Sequence, residues 1–236
     1  MQSAALHAAP PTVNFAWSKS NAKAIVQKLQ AYETFKARLL SGQLKPGQFI
    51  TQRELAHLAG VPLGATREAI QRLEQECLLK VYPQRGIQVA DATVAALGDA
   101  FEYREIIEAH AVRQFALHAS KAVIETLERA TQEVLSKASG EISRTLQEKA
   151  VEVDWRMHDQ IVDSLGNQPV SRDYRVNSAR IRLMRASNRL IPERLVSAMN
   201  EHLAILRACK KRDPEAAAAS LRIHLAVARQ RALDHR

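Results

Sequence analysis

Two short predicted helices separated by a four-residue turn constrain this chain more than any other feature of its sequence. Thr51 and Glu54 have the spacing of a capping box, in which each side chain accepts a hydrogen bond from a free backbone N–H at a helix start. The helix that begins there is predicted to end at Gly60, and the next is predicted from Gly64 to Glu76. A turn this short makes the two helices cross near their ends, which is the arrangement of a helix-turn-helix.

A β-hairpin is predicted directly after these helices. Leu78–Tyr82 and Ile87–Val89 are β-prone runs, and Pro83–Gly86 form the turn between them. A helix from Asn21 to Leu40 is predicted before the pair, with an apolar stripe from Ile25 to Leu40 facing inward. Three helices followed by a hairpin with an arginine at its tip match a winged helix-turn-helix, whose third helix would lie in the major groove.

Basic residues are concentrated in the same part of the chain. The net charge is +9, and residues 1–90 carry 11 Lys or Arg against 5 Asp or Glu, while residues 91–236 carry 23 against 20. A concentrated positive charge favours an anionic partner, and nucleic acid is the first candidate. The alternative is a small helical unit whose arginines only keep it in solution, but the order of helices, turn and hairpin favours DNA binding.

Four segments of this region resemble the DNA-binding domain of GntR-type bacterial transcription regulators. They are Gln43-Leu44-Lys45-Pro46-Gly47, Arg53-Glu54-Leu55-Ala56, Thr66-Arg67-Glu68-Ala69-Ile70-Gln71-Arg72-Leu73-Glu74 and Gln84-Arg85-Gly86-Ile87-Gln88-Val89. The resemblance covers roughly Tyr32 to Val89. Pro62-Leu63-Gly64 stand where many members have Ser/Thr-Arg-Thr, so the resemblance does not imply an operator sequence.

The resemblance also implies which residues touch operator DNA. Family arginines at the positions of Arg53 and Arg67 contact the operator, and the wing-tip glycine approaches it closely. The implied DNA contacts are therefore Arg53, Arg67, Arg85 and Gly86, with Arg72 as a further phosphate contact.

From Asp91 onward the sequence predicts helices and no strand. Six helices are predicted, at 93–118, 121–137, 141–165, 168–190, 193–211 and 214–233. The breaks between them are short, as at Ser139-Gly140, Ile191-Pro192 and Asp213-Pro214. Long helices with short breaks pack as antiparallel neighbours. The predicted fold is therefore mainly α: a winged helix-turn-helix unit in residues 1–90 and an antiparallel helical bundle in residues 91–236.

Four polar residues lie on predicted apolar stripes of this bundle. Asp154 and His158 are four residues apart, so they share one face of a helix. His202 lies 11 residues before Asp213 and His224 lies 11 residues after it. In an antiparallel helix hairpin these equal offsets put both imidazoles at one level, about 16 Å from the turn. Three histidines and one carboxylate at one level would suit Zn²⁺ or another borderline divalent ion.

Each of these residues also has a purely structural explanation. A buried histidine is usually hydrogen-bonded, Asp154 with His158 could form a helical ion pair, and His202 and His224 could hydrogen-bond each other. The coincidence of all four favours a metal site. The helices together resemble the FCD effector domain of the FadR branch of the GntR family, over most of residues 92–233, and the count of six resembles its VanR-like subgroup. The resemblance implies that Asp154, His158, His202 and His224 bind a metal, commonly Zn²⁺ or Ni²⁺, and that a small carboxylate effector binds over it.

Two residues are candidates for that effector. Arg104 is predicted to lie partly inward, where a guanidinium could grip a carboxylate in a bidentate manner; pairing with Glu108 on a half-exposed face is an equal alternative. Asn167 resembles part of a family Gly-Asn-x-Pro turn, in which it either starts a helix or contacts ligand. The fourth bundle helix adds arginines whose roles the sequence leaves open, namely Arg172, Arg175, Arg180, Arg182, Arg185 and Arg189.

These features predict a ligand-responsive transcription regulator that forms a homodimer through its helical domain. The resemblance implies a repressor, because repression relieved by a ligand is the common behaviour of the family. Two cysteines and the absence of an apolar run of about 20 residues predict a reducing, cytoplasmic location and no membrane partner. A metallohydrolase is the enzyme alternative, but no second carboxylate or nucleophile motif supports it. A DNA-binding protein with a purely structural metal is the other alternative.

Overall fold

The computed structural model describes residues 19–138, 142–185 and 192–234. The N-terminal unit contains helices α1 (Lys19–Leu40), α2 (Gln52–Ala59) and α3 (Leu63–Gln75). The Thr51 side chain accepts from the Glu54 N–H, and the Glu54 carboxylate accepts from the Thr51 N–H, so the predicted capping box is confirmed. Gly60 ends α2 in the left-handed conformation, as its position predicts.

A three-stranded antiparallel sheet forms the wing. Its strands are β1 (Phe49–Ile50), β2 (Leu79–Tyr82) and β3 (Gly86–Val89), in the spatial order β1-β3-β2. The hairpin of β2 and β3 was predicted, whereas β1 was not, because two residues are too few to produce an alternating pattern. β1 pairs with β3 and covers the edge that the hairpin alone would leave open.

The apolar stripe of α1 is only partly buried. Phe35 and Leu39 are fully buried in the core of the N-terminal unit, together with Leu55 and Leu73. Ile25, by contrast, is 48% exposed, and Leu29 is exposed as well. The prediction that the whole stripe from Ile25 to Leu40 faces inward is therefore wrong for its first turns.

Six helices form the C-terminal bundle within the described residues, as predicted. They are α4 (Val94–His118), α5 (Lys121–Lys137), α6 (Arg144–Asp163), α7 (Gln168–Arg185), α8 (Pro192–Lys210) and α9 (Pro214–Leu233). α6 begins later than predicted, because the Ser143 hydroxyl accepts from the Leu146 N–H and caps the helix there. Ser139-Gly140 and residues 186–191, which include Arg189, lie outside the described residues. None of the described helices combines the length and apolar character needed to cross a bilayer.

Helix α7 connects the two units. Its Ala179 and Leu183 side chains are buried in the core of the N-terminal unit. On the same helix, Ile181 and Tyr174 are buried among bundle residues. The Arg180 Nε also donates to the backbone carbonyl of Glu76, at the end of α3, over 3.0 Å. One helix therefore contributes side chains to both hydrophobic cores.

Candidate metal centre and DNA-binding surface

Three helices bring Asp154, His158, His202 and His224 together in the bundle. One ligand atom from each residue lies within 4.8 Å of the others. The three imidazoles are almost completely buried, and their ring centroids lie 4.6 to 5.4 Å apart. Two ligand atoms that each lie about 2.1 Å from a tetrahedral Zn²⁺ ion are about 3.4 Å apart. Only small side-chain adjustments therefore separate this cluster from a metal-binding geometry.

The hairpin of α8 and α9 sets the level of His202 and His224. The Asp213 carboxylate accepts from the Ala216 N–H over 2.9 Å and caps α9, and Pro214 occupies its first turn. With both histidines 11 residues from Asp213, their ring centroids meet at 4.6 Å. The equal offsets along the two helices account for this meeting.

Two carboxylates orient the imidazoles from outside the cluster. Nδ1 of His158 lies 2.6 Å from a carboxylate oxygen of Glu108, and Nδ1 of His224 lies 2.8 Å from one of Glu201. A carboxylate on Nδ1 directs Nε2 toward a metal and raises its basicity. Sequence reasoning missed both roles, since nothing along the chain links α4 to α6; the only local signal for Glu201 is its position next to His202.

The buried nitrogens test whether these residues fit a cation. Nε2 of His158 and both ring nitrogens of His202 are buried and lack a hydrogen-bond partner among the described residues. His202 Nε2 does lie 3.0 Å from Asp154 Oδ1, but without the angles of a hydrogen bond. A buried polar atom left unsatisfied costs about 1–3 kcal/mol. A neutral imidazole has one lone-pair nitrogen, so a bound cation would satisfy one nitrogen of His158 and one of His202. The donor set therefore fits a divalent metal.

The protonation states also suit a metal. Burial, with the nearby Arg104, holds the pKa of His158 below its usual range, and burial lowers the pKa of His224 to about 3. Burial alone would raise the pKa of Asp154, but the adjacent His202 holds it well below its ordinary value. Neutral imidazoles and an ionised carboxylate are the forms that coordinate metal ions.

Arg104 and Glu108 form an ion pair in the interior of the bundle. Arg104 is 1% exposed and Glu108 is fully buried, so the expected half-exposed pair is wrong about exposure but right about the partner. The Tyr174 hydroxyl donates to Glu108 over 2.7 Å. Burial would raise the pKa of Glu108, but Arg104 and His158 hold it well below its ordinary value. The pair thereby links Arg104 to a proposed metal ligand.

Asn167 lies immediately before α7. Its side chain is exposed, and its carboxamide oxygen accepts from the Val170 N–H over 3.3 Å. This contact corresponds to the helix-start alternative of the sequence analysis.

The residues proposed to contact DNA lie on the surface of the N-terminal unit. Arg53 on α2, Arg67 on α3 and Arg85 at the hairpin turn are all exposed. Gly86 has a φ of +101°, and a Cβ at this position would lie 3.3 Å from the Ile50 carbonyl oxygen. The structure therefore requires glycine here for the wing itself, whatever the wing contacts.

Arg72 differs from the other arginines because the protein holds it in place. Its guanidinium lies 3.6 Å from the centroid of the Tyr32 ring, and its Nε donates to Glu76 over 3.4 Å. Its side chain nevertheless remains 55% exposed. At the other end of α3, Pro62 provides no side-chain cap, as expected from the departure at residues 62–64.

Two protein-family models match the chain. Residues 27–89 match the bacterial regulatory proteins of the gntR family, and residues 99–227 match the FCD domain. The chain therefore belongs to the FCD-containing GntR family of transcription regulators, which bind operator DNA and a small-molecule effector. The gntR family is one of bacterial regulatory proteins, so the chain is a transcription regulator and not an enzyme, and the metallohydrolase alternative is not supported.

Sequence and structure comparisons agree with this assignment. The uncharacterized HTH-type transcriptional regulator YdhC of Bacillus subtilis is 26% identical over 140 residues, which span 59% of this chain and 61% of that relative. McbR/YncC of E. coli is 20% identical with a TM-score of 0.71, covering 85% of this chain and 93% of that one. A GntR-type regulator from Rhodococcus sp. RHA1 is 16% identical with a TM-score of 0.74, covering 89% and 99%. The metal-free FCD domain of TM0439 is 20% identical with a TM-score of 0.51, covering 60% and 94%. At these identities the solved structures support the fold alone.

Proposed function

We propose that this protein is a metal-dependent, effector-responsive repressor that binds operator DNA as a homodimer. Residues 1–90 read the operator, and residues 91–236 bind the metal and effector and form the dimer. The buried nitrogens of His158 and His202, which lack a hydrogen-bond partner in the described part of the chain, carry the metal part of the proposal. Such a regulator acts where the chromosome is, so a cytoplasmic location belongs to the same proposal.

Zn²⁺ is the proposed metal, with Ni²⁺ as the alternative, because three imidazoles and one carboxylate suit borderline divalent ions. Asp154, His158, His202 and His224 would hold the ion. When bound, it would supply a positive charge and open coordination positions for an oxygen ligand. The ligand is a small carboxylate. Arg104 offers it a guanidinium nitrogen that has no hydrogen-bond partner among the described residues, and Glu108 connects Arg104 to His158. Asn167, at the start of α7, belongs to the proposal only as a secondary effector contact.

Helix α7 supports the proposed coupling between effector and DNA. Its Tyr174 contacts Glu108, which in turn contacts His158, while its Ala179 and Leu183 pack into the N-terminal unit. An effector that changes the packing of α4 against α7 would thus alter how the DNA-binding units are spaced. To act, it must prefer one of two arrangements, by about 1–3 kcal/mol in typical coupled systems.

The proposal is tested by measuring operator affinity with zinc-loaded protein in the presence and absence of a panel of small carboxylates. We expect at least one carboxylate to weaken DNA binding about 5- to 150-fold, and a chelator to abolish that response. If DNA binding ignores every carboxylate but melting temperature depends on zinc, the metal is structural and the sensing role is rejected.

We place the dimer interface on the outer face of α4 and α9. Ile106 on α4 is 64% exposed and Ile223 on α9 is 65% exposed. The groove beside Ile106 contains acidic and basic side chains, among them Glu102 and Arg222. A two-fold copy would set the acids of one chain against the bases of the other, which is how self-complementary interfaces form.

Ile106→Asp is expected to convert the dimer into a 26.3 kDa monomer in light scattering and to weaken operator binding at least about tenfold. The reason is that the change removes a large apolar side chain from the interface and adds a carboxylate that must be desolvated when the two chains associate. Val26→Asp is the matched control, because Val26 is 62% exposed on α1, in the other unit. A dimer that persists in Ile106→Asp would locate the interface elsewhere.

A further inference from the structure

Two arginine side chains gather at one aromatic ring beside the proposed metal centre. Cζ of Arg104 lies 4.8 Å from the centroid of the Trp155 ring, and Cζ of Arg182 lies 4.4 Å from it. Trp155 directly follows Asp154 along α6 and is buried. Guanidinium groups favour such positions against an aromatic ring. The ring therefore positions two cations from different helices, α4 and α7, next to a proposed metal ligand.

Both guanidiniums retain donors without acceptors. Nη2 of Arg104 and Nε of Arg182 are buried and have no hydrogen-bond partner in the described part of the chain. Arg104 as a whole is 1% exposed. Buried donors of native proteins are normally satisfied, by ligand or water where the protein supplies no acceptor. The carboxylate of Asp159 interacts electrostatically with Arg182, but its Oδ1 is likewise buried and without a hydrogen-bond partner among the described residues. Two unsatisfied guanidinium donors, one on α4 and one on α7, therefore suit a ligand that has an acceptor group for each.

The charged side chains around Asp154 also favour a ligand with more than one anionic group. Arg104, Arg182 and Arg185 all interact electrostatically with Asp154. A divalent cation bound beside Asp154 would add to the positive charge of these three guanidinium groups. A ligand with two anionic groups offsets more of that charge than a monocarboxylate does.

We propose that the effector is a dianion, meaning here a ligand with two separate anionic groups: one carboxylate is directed at the metal and Arg104, and a second anionic group is held by Arg182. Dicarboxylates and phosphorylated carboxylic acids have this chemistry. Arg185 adds longer-range positive charge. The inference rests on the proposed function, because the first carboxylate needs the proposed metal site, and it adds the ligand class and a specificity-determining residue.

The position of Arg182 on α7 gives the second anionic group a direct effect on the DNA-binding unit. Arg182 directly precedes Leu183, which is buried in the core of that unit. Two residues before Arg182, the side chain of Arg180 contacts Glu76 at the end of α3. A ligand that holds Arg182 in one position therefore restrains the turn of α7 that packs against the N-terminal unit. Monoanions, which reach only the α4 side, lack this contact.

The test uses the fluorescence of Trp155 in the full, zinc-loaded chain. Trp17→Phe removes the other of the two tryptophans, so the signal reports Trp155 alone. Succinate and glutarate are titrated against butyrate and valerate, which have the same chain lengths and one carboxylate fewer; 3-phosphoglycerate is titrated against glycerate. We expect each binding dianion to have a Kd at least about tenfold below that of its matched monoanion, the usual effect of one added charge-assisted contact.

Arg182→Gln is expected to remove this preference. The Kd of the dianion should rise to that of the monoanion, while the Kd of the monoanion changes by less than about twofold, because only the second group contacts Arg182. Arg175→Gln is the matched control: it lies on the same helix, pairs with Asp163 at the surface and should leave both affinities unchanged. Arg182→Lys keeps the charge and provides a folded comparison should the glutamine variant misfold.

The outcomes separate this inference from the proposed function. Equal affinities for matched monoanions and dianions overturn the second anionic site and leave the metal–carboxylate proposal standing. A dianion preference that survives in Arg182→Gln overturns the role of Arg182, and so does an unchanged dianion Kd in Arg182→Lys, because lysine cannot reproduce the bidentate contact of a guanidinium. If no carboxylate of either class changes Trp155 fluorescence or melting temperature, both the proposed effector site and the inference are wrong. Binding of the phosphorylated acid alone supports the inference and identifies a phosphoryl group as the second anion.

Discussion

Protein carrying His202→Ala is expected to retain less than about a tenth of an equivalent of zinc after purification, against about one equivalent in the wild type. Removal of a ligand should cost at least as much as removal of an outer partner of a ligand, which typically lowers metal affinity 10- to 100-fold. Metal content by mass spectrometry is the direct measurement. The melting temperature should also lose its zinc dependence, since binding to the folded state alone stabilises by about 4 kcal/mol at a thousandfold excess over Kd.

Metal-free wild type and metal-free His202→Ala should differ much less. Truncating a buried ring leaves a cavity, which destabilises the fold. It also removes two ring nitrogens that lack partners among the described residues, which stabilises the fold. His110→Ala is the control, because His110 is exposed on α4 and should leave zinc content unchanged. A full equivalent of zinc in His202→Ala would show that the cation binds elsewhere.

Operator binding should be most sensitive to Arg67. Arg67→Ala is expected to weaken the specific complex by about 1–3 kcal/mol, roughly 5- to 150-fold, because an exposed arginine on the recognition helix can contact a base edge or phosphate. Fluorescence anisotropy with a DNA fragment selected by the purified protein measures the change. Arg72→Ala should cost less, because Tyr32 and Glu76 already occupy its guanidinium.

The control for Arg67 removes the same charge from the other unit. Arg144 on α6 has a side chain that is 92% exposed, so Arg144→Ala lowers the net charge equally without touching the proposed DNA surface. Its Kd should stay within about twofold of the wild type at the same salt concentration. If both variants lose the same operator affinity, the loss comes from the change in net charge alone. If Arg67→Ala binds the operator as the wild type does, α3 does not read the operator.

Helix boundaries that depend on local chemistry could be predicted from the sequence. The capping box of Thr51 and Glu54 and the cap at Asp213 act within three residues, so their signals lie in the chain itself. The meeting of His202 and His224 was equally predictable, because a tight turn fixes the relative height of two antiparallel helices.

Contacts between distant helices could not be predicted in this way. Glu108 meets His158 across 50 residues, and nothing in either helix alone indicates that the carboxylate orients the imidazole. The same holds for β1, whose two residues acquire strand geometry only by pairing with β3. The burial of Arg104 also depends on tertiary packing, since its helical position fits a half-exposed stripe equally well.

The position of α7 between the two cores limits how such a protein can change by recombination. Because Ala179 and Leu183 are buried among residues of the N-terminal unit, an exchange of residues 1–90 for those of a distant homologue would replace the surface on which they pack. Exchanges that keep this contact would preserve the coupling between effector binding and DNA binding. Other exchanges would give chimeras in which both units fold but effector binding no longer changes DNA binding. New operators should therefore arise more readily by substitution on the exposed face of α3 than by exchange of whole modules.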